Sequence, residues 1–313
     1  MWAYAAKRLL SAVVIMWAVA TVVFLAMRLV PADPAEVVLG DQASQEALDA
    51  FRARSGLDRP LPVQYLEFFS GVLRGDLGRS LITNEPIAEQ IWAVFPFTFT
   101  LAFASLAVGA LIGVPLGVWT AVRRGSWVDY VGRVFALAGF SFPAFYLGIV
   151  LLLVFSVWLG WTPIIHSIRG GGWEEHVQKL ILPALSLGLI QGAYITRLTR
   201  SAVLEALGQD WVRTAYAKGL PDSVVHYKHV LRNVMIPVIT AMGLYTGTIL
   251  GGAVLTETVF NRPGLGKLLV GAIAQRDYTL IQSGLMVFAF IITTVNLLVD
   301  LSYALFDPRV KYE

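Results

Sequence analysis

The 313-residue chain is 57% hydrophobic and only 14% charged, with a net charge of +3 and positive mean hydropathy. Soluble domains carry roughly a quarter charged residues, so most of this chain belongs in lipid and an ordinary soluble fold is excluded. Cysteine is absent, which excludes disulfides, thiolate metal sites and cysteine nucleophiles, and the basic residues gather in loops as orientation signals, not as a nucleic-acid footprint.

Lys7 and Arg8 precede an apolar run from Leu9 to Met27. The apolar core of a signal peptide is usually only ~7–15 residues long, whereas this run is long enough to span. Residues 1–30 are therefore predicted to be an uncleaved first helix with its N-terminus inside, and Arg28 to snorkel to the far interface. Residues 31–95 form a hydrophilic, net acidic excursion in which Gly56, Pro60, Pro62, Gly75 and Gly78 punctuate short helical pieces. A segment of this length is tolerated on the outer face, since long loops weigh little in orientation.

From 96 to 306 apolar stretches alternate with polar gaps, predicting further spans at about 97–121, 135–159, 181–198, 238–259 and 281–306. Pro143 is expected to kink the second of these, and Pro183 to sit in the first turn of the third. The glycines at 243, 247, 251 and 252 predict close helix packing along the fourth. The result is an all-α polytopic membrane protein of six transmembrane helices with an extracytoplasmic insertion after the first. Lys7, Arg8, Arg123, Arg124, Arg133, Arg309 and Lys311 fall inside, with a short tail at 307–313. The short outer loops hold fewer, namely Arg169, Lys179, Arg262, Lys267 and Arg276.

The loop at 197–237 is the longest polar interruption of this part and carries Arg197, Arg200, Arg213, Lys218, Lys228 and Arg232, which places it in the cytoplasm. Within it, Asp210 to Gly219 reads as a short amphipathic helix with an acidic start, Gly219 as C-cap and Pro221 beyond. Such a helix between two spans has nothing of its own domain to bury against, so it is expected to dock outside the bilayer. On the outer side Leu268, Leu269, Ala272 and Ile273 recur at helical spacing and predict an amphipathic helix between the last two spans.

Chemistry is scarce. The PGLGK at 263–267 is no phosphate loop, because Asn261 stands where glycine is required and Leu268 follows the lysine. His166 and His176 fall outside and His226 and His229 inside, so the four cannot assemble one metal site. No charge cluster, histidine pair or ring of aromatics is evident between the spans. Gln191, Thr246, Glu257 and Asn296 remain as polar candidates for a translocation pathway or gate. An ion-coupled secondary transporter would need ionisable groups at mid-membrane, and none is evident there.

Residues 210–220, DWVRTAYAKGL, followed by HVLRN and Pro237, resemble the cytoplasmic EAA loop of ABC importer permeases in the dipeptide/oligopeptide/nickel group. LVPADP, GLDRPLPVQY and GDLGRSL resemble that group's first outer region. ETVFNRPGLG, RDY and NLLVDLSYALFDPR resemble its C-terminal third. Arg213 and Thr214 stand where the general loop pattern has Glu-Ala, while Ala215 and Gly219 match. The resemblance implies a type-1 importer permease fold of the first-permease type in a bacterial inner membrane. It implies a second homologous permease, two ATPase subunits that bind ATP and magnesium, and an extracytoplasmic solute-binding protein, with no cofactor on this chain. It implies a small polar solute, foremost di- or oligopeptides, with glutathione, a nickel chelate or an opine-like conjugate as alternatives. Trp211, Arg213, Thr214, Ala215, Lys218 and Gly219 would then make the ATPase contact, Lys218 by charge, Trp211 as an apolar anchor, Ala215 and Gly219 by close approach. Selectivity would rest with the binding protein.

Overall fold

A backbone in lipid has no water to bond its N–H and C=O groups, so long apolar segments fold as helices. The computed structural model describes residues 2–29, 33–40, 42–162 and 173–306. Among these there is one isolated antiparallel bridge, Arg79 with Pro86, and no strand. The elements are α1 (Trp2–Leu29), α2 (Pro34–Leu39), α3 (Gln45–Arg54), α4 (Leu61–Leu73), α5 (Ile87–Val122), α6 (Trp127–Ser141) and α7 (Ala144–Leu151), which continues as a π-helical segment, Leu152–Trp158. They continue with α8 (Trp173–Leu207), α9 (Asp210–Ala217), a π-helical segment (Val224–Val230) that runs into α10 (Leu231–Val259), α11 (Leu265–Gln275) and α12 (Tyr278–Phe306). Among the described residues five helices are long and apolar enough to cross a membrane, and α6 with α7 makes a sixth if that bent pair is one span. The loop expected outside, with His166, Arg169 and the glycine run, and the basic tail with Arg309 and Lys311, lie outside the described residues.

Three boundaries depart from expectation for physical reasons. At Pro143 the helix is not merely kinked: Phe142 is extended (φ −106°, ψ 128°), as the residue before proline prefers, and the two halves meet at 106°. Pro183 lies well inside α8, which a membrane helix tolerates when neighbours re-satisfy the freed backbone groups. The helix-favouring run from Ser201 to Leu207 keeps α8 helical far into the polar loop, so the loop is truly broken only around Gly208–Gln209 and from Lys218 to Pro221.

The chain divides into two compact units, residues 1–96 with 263–297, and residues 97–262 with 298–313. In the first, Asp33 caps α2 through the Ala35 N–H and also accepts from Arg52, while Ala35, Leu48 and Phe51 form a small core. Arg28, expected to snorkel, instead donates to Gln64 Oε1 at 2.8 Å and lies over the Phe24 ring. A second core gathers Ile87, Ile91, Leu265, Ala272, Leu280 and Ile281. The amphipathic α11 forms, with Leu269 and Ala272 buried and Ile273 58% exposed. Beyond its left-handed C-cap Arg276, the Asp277 carboxylate accepts from the N–H groups of Leu280 and Leu81 and from the Ser80 hydroxyl.

In the second unit α5 and α8 are packed backbone to backbone. A Cβ on Gly109 would lie 2.5 Å from Gln191 Cγ; one on Gly113, 2.6 Å from Ile195 Cβ; one on Gly117, 2.6 Å from Thr199 Cβ. Gly188 on α8 faces Val108 as closely, and Gly139 on α6 faces Ala193. The fourfold spacing along α5 is the small-residue stripe of close-packed membrane helices. The sequence reading looked for this on α10. There Gly243 meets Val299 and Gly252 approaches Leu187, but a Cβ on Gly251 meets nothing within 4 Å. Gly113→Val is therefore expected to lower stability by about 1–3 kcal/mol, the usual cost of overpacking. Gly251→Ala is expected to be neutral or to gain up to ~1 kcal/mol from helix propensity. Thermal unfolding of the two variants in detergent checks the contrast.

Candidate functional site

The polar loop builds its own small core. Val212 and Ala215 on α9 join Val118 and Ala121 of α5, Ile195 and Val203 of α8, Val225 and Val230 of the π-helical segment, and Val234 and Val238 of α10. The expectation that α9 has nothing in its own chain to bury against is thus corrected: the ends of α5, α8 and α10 supply a seat for its apolar face. Ala215, assigned to the ATPase contact, is turned inward at 9% exposure. Its small side chain lets α9 settle on this seat.

Gly219 does what its position predicted. Its φ of +75° places it in the left-handed region that favours glycine, one residue past the C-cap Lys218. Its N–H donates to the Tyr216 carbonyl at 2.8 Å and the Leu220 N–H to the Ala215 carbonyl at 3.3 Å, the paired bonds of a Schellman motif. Leu220 packs against the same core as Ala215. The outward face then presents Trp211, Arg213, Thr214 and Lys218, with Trp211 38% exposed. It also presents Tyr216, which the sequence reading passed over; its hydroxyl meets His226 Nε2 at 3.1 Å. Burial, with the nearby Asp222 carboxylate, pushes the Tyr216 phenol up from its usual value.

A second missed feature fixes this end of the unit. Asp129, in the first turn of α6 and almost fully buried, takes Arg200 Nε at 2.7 Å and its Nη2 at 3.1 Å, and accepts the Gly125 N–H at 3.0 Å. The bidentate pair ties α6 to α8 one turn before Val203 enters the seat of α9. Its only trace in the sequence is a lone acid, GSWVDYVGR, within an otherwise basic connection.

The pathway candidates separate. Glu257 is fully buried at the end of α10 and accepts the Thr98 hydroxyl at 2.6 Å. Arg262, just past that helix, donates to Thr100 Oγ1. Its burial pulls the guanidinium down from its usual value, while the Glu257 charge opposes that fall. Thr246 is half-buried and returns its hydroxyl to the Met242 carbonyl of its own helix. Asn296 is half-buried on α12, in the other compact unit.

Gln191 is 1% exposed, and neither its amide nitrogen nor its oxygen has a hydrogen-bond partner. It lines a cavity of about 230 Å³ between α6, α7, α8 and α10. Aromatic rings do gather here, contrary to the sequence reading. Tyr194 stacks on Tyr245 at 4.3 Å, Phe140 meets Tyr194 edge-on, and the Arg197 guanidinium lies 4.3 Å above Phe140. Three separate helices contribute, so no local pattern announces the cluster.

Residues 113–312 match the family described as binding-protein-dependent transport system inner membrane component, and residues 1–102 match its N-terminal component. The chain is 41% identical to the dipeptide transport system permease protein DppB of Alkalihalophilus pseudofirmus, with 100% of each chain covered. It is 41% identical to the glutathione transport system permease protein GsiC of Pectobacterium atrosepticum, with 99% of each covered. Among solved structures, an inward-facing methionine ABC transporter, MetNI, aligns with a TM-score of 0.55 at 18% identity, over 71% of this chain and 98% of that one, a likeness of fold.

Removing Arg200 leaves the Asp129 carboxylate with Arg133 at 3.6 Å and the Gly125 N–H at 3.0 Å, so it is weakened and not stranded. Arg200→Ala is expected to cost about 1–3 kcal/mol, the usual cost of losing a hydrogen-bond partner of a buried group, and Asp129→Asn combined with Arg200→Gln to cost less than the sum of the two single changes. Unfolding midpoints of the single and double variants decide the matter. A single-variant loss below about 1 kcal/mol would make the pair no stronger than a surface one.

Proposed function

This chain belongs to the binding-protein-dependent transport permeases, and on that premise we propose that it is one transmembrane subunit of an ATP-driven importer of short peptides, driven through α9. The observation that carries the reading is the capped α9, seated on the ends of α5, α8 and α10 with a polar and aromatic face turned outward. Trp211, Arg213, Thr214, Lys218 and Gly219 would enter a cleft of a partner ATPase, and Ala215 would hold the helix in place from behind. ATP and magnesium would bind to two ATPase subunits, and this chain would add no catalytic group. A second, homologous permease would complete the path and an extracytoplasmic binding protein would deliver the solute, with both termini in the cytoplasm.

Short peptides are supported by relatives named for dipeptide and glutathione transport. Glutathione itself is the nearest alternative solute. Reconstitution tests the whole reading, since uptake into vesicles should require both a partner ATPase and ATP. Uptake that follows an ion gradient without them would replace it with secondary transport.

The α9 contact makes its own prediction. A leucine at Gly219 meets a left-handed backbone, which costs at least ~1 kcal/mol locally, and adds bulk where close approach is required. Gly219→Leu and Lys218→Glu should insert normally yet lose solute uptake and ATPase stimulation; full uptake in both would make α9 a bystander. Orientation is checked with single cysteines, because the chain has none. An impermeant thiol reagent should label Ser44→Cys and Asn84→Cys from outside intact cells, and leave Gln209→Cys untouched.

A further inference from the structure

The exposed side of α5 has the length of a bilayer core. Opposite the glycines that meet α8, Phe99, Phe103, Leu111 and Trp119 recur at multiples of four residues on one open stripe. From Phe99 to Trp119 the helix rises ~30 Å, the thickness of the hydrocarbon layer. The next position on the stripe is Arg123, whose guanidinium lies 5.3 Å from the centre of the Trp119 ring. The stripe thus leaves hydrocarbon at a tryptophan and enters the headgroup layer at an arginine. From the same edge α6 turns back, with Trp127 and Tyr130 of its first turn 73% and 62% exposed. Arg133 lies on this open face, 4.4 Å from the centre of the Tyr130 ring. It approaches Asp129, the one acid between Trp119 and Leu137, only to 3.6 Å, because Arg200 holds that carboxylate in a bidentate contact. Arg123 and Arg124 are exposed and have no ion-pair partner among the described residues.

We propose that this edge, formed by Arg123, Arg124 and Arg133 with Trp119, Trp127 and Tyr130, binds the headgroup of an anionic phospholipid. Guanidinium groups match phosphate oxygens in geometry and charge, and the rings suit the boundary between headgroup and acyl chain. Two other occupants fit less of the surface. A soluble acidic partner would meet Arg123 and Arg124 but not Arg133, which lies among the exposed Val131, Val134 and Leu137. A neighbouring membrane helix would cover those apolar side chains and leave the three charges without an anion. One lipid does both, its phosphate on the arginines and its chains along α6. The basic turn therefore does more than orient the chain: it selects a headgroup, beside the Asp129 tie that joins α6 to α8.

The test uses the full complex with Val131→Cys, an open position of α6, carrying a bimane label; the chain has no other cysteine. The complex is reconstituted in vesicles of phosphatidylglycerol and phosphatidylcholine, with brominated chains on one lipid or the other, and quenching is compared per mole of brominated lipid. A basic residue close to an anionic headgroup strengthens attraction about fivefold. Brominated phosphatidylglycerol should therefore quench the label at least about fivefold more than brominated phosphatidylcholine. Arg123→Gln, Arg124→Gln and Arg133→Gln combined should bring that ratio toward one. The first comparison keeps all three arginines, so it decides the matter even where the combined variant fails to assemble. Equal quenching by the two lipids with the arginines in place overturns the proposal, and so does a preference that survives their loss. A label that neither lipid quenches overturns it as well, because a partner protein would then cover the face.

Discussion

How closely α5 and α8 approach sets the terms for the rest of the second unit. In lipid there is no hydrophobic drive to bring helices together, so packing contact between small surfaces has to do it. Gly109, Gly113 and Gly117 form one stripe of α5, and α8 answers with Gly188, Gly192 and the backbone carbonyls of Gly192 and Thr196. Every side chain presented by that face of α8 is thereby fixed in place. Gln191 lies at mid-helix, Ile195 at the edge of the core under α9, and Thr199 beside Gly117.

The same seam underlies the seat of α9, although that helix lies in a loop. Its seat is made from the ends of helices already locked together, and the Asp129–Arg200 pair adds α6 to that group. The buried pair lies at the end of the unit that carries the basic loop, where desolvation is offset by a bidentate contact and by the Gly125 N–H. By contrast, the Arg213–Asp210 pair on the outward face of α9 is highly exposed and worth little to stability. Charges that hold the fold are buried, and those left exposed are available to a partner.

What the sequence made legible follows from the range of the signal. The spans, the short α9, its Gly219 cap and the amphipathic α11 are each encoded within a few turns of helix, by apolar runs or by a capping residue. The peptide-permease resemblance was legible because its motifs are contiguous. What escaped was assembled across helices. The small-residue stripe lay on α5 rather than the visibly glycine-rich α10, although Gly243, Gly247 and Gly251 share its fourfold spacing, because spacing does not say which face of a helix meets a neighbour. Asp129 gave no hint of Arg200, seventy-one positions away. Ala215 looked like a contact residue because its motif says nothing about which way a small side chain faces. The aromatic cluster of Phe140, Tyr194 and Tyr245 draws one ring from each of three helices and has no local signature.

α8 joins the wall of the cavity and the seat of α9 in a single rod. Gln191 borders the cavity and Val203 lies under α9, and at 1.5 Å per residue the intervening helix is about 18 Å long. Nothing soft separates them: one face is sealed against α5 by glycine, and Arg200 is clamped to Asp129 along the way. The compliant point lies off this rod, at the 106° break between α6 and α7, whose N-terminus helps line the cavity. Under the proposed function, a displacement of α9 would be carried along α8 as a rigid-body shift and taken up at Phe142–Pro143, where the two halves of the broken helix can change their angle without breaking a continuous hydrogen-bond ladder. Phe142 and Ala144 both line the cavity that Gln191 borders, so one shift of α8 would reshape its wall.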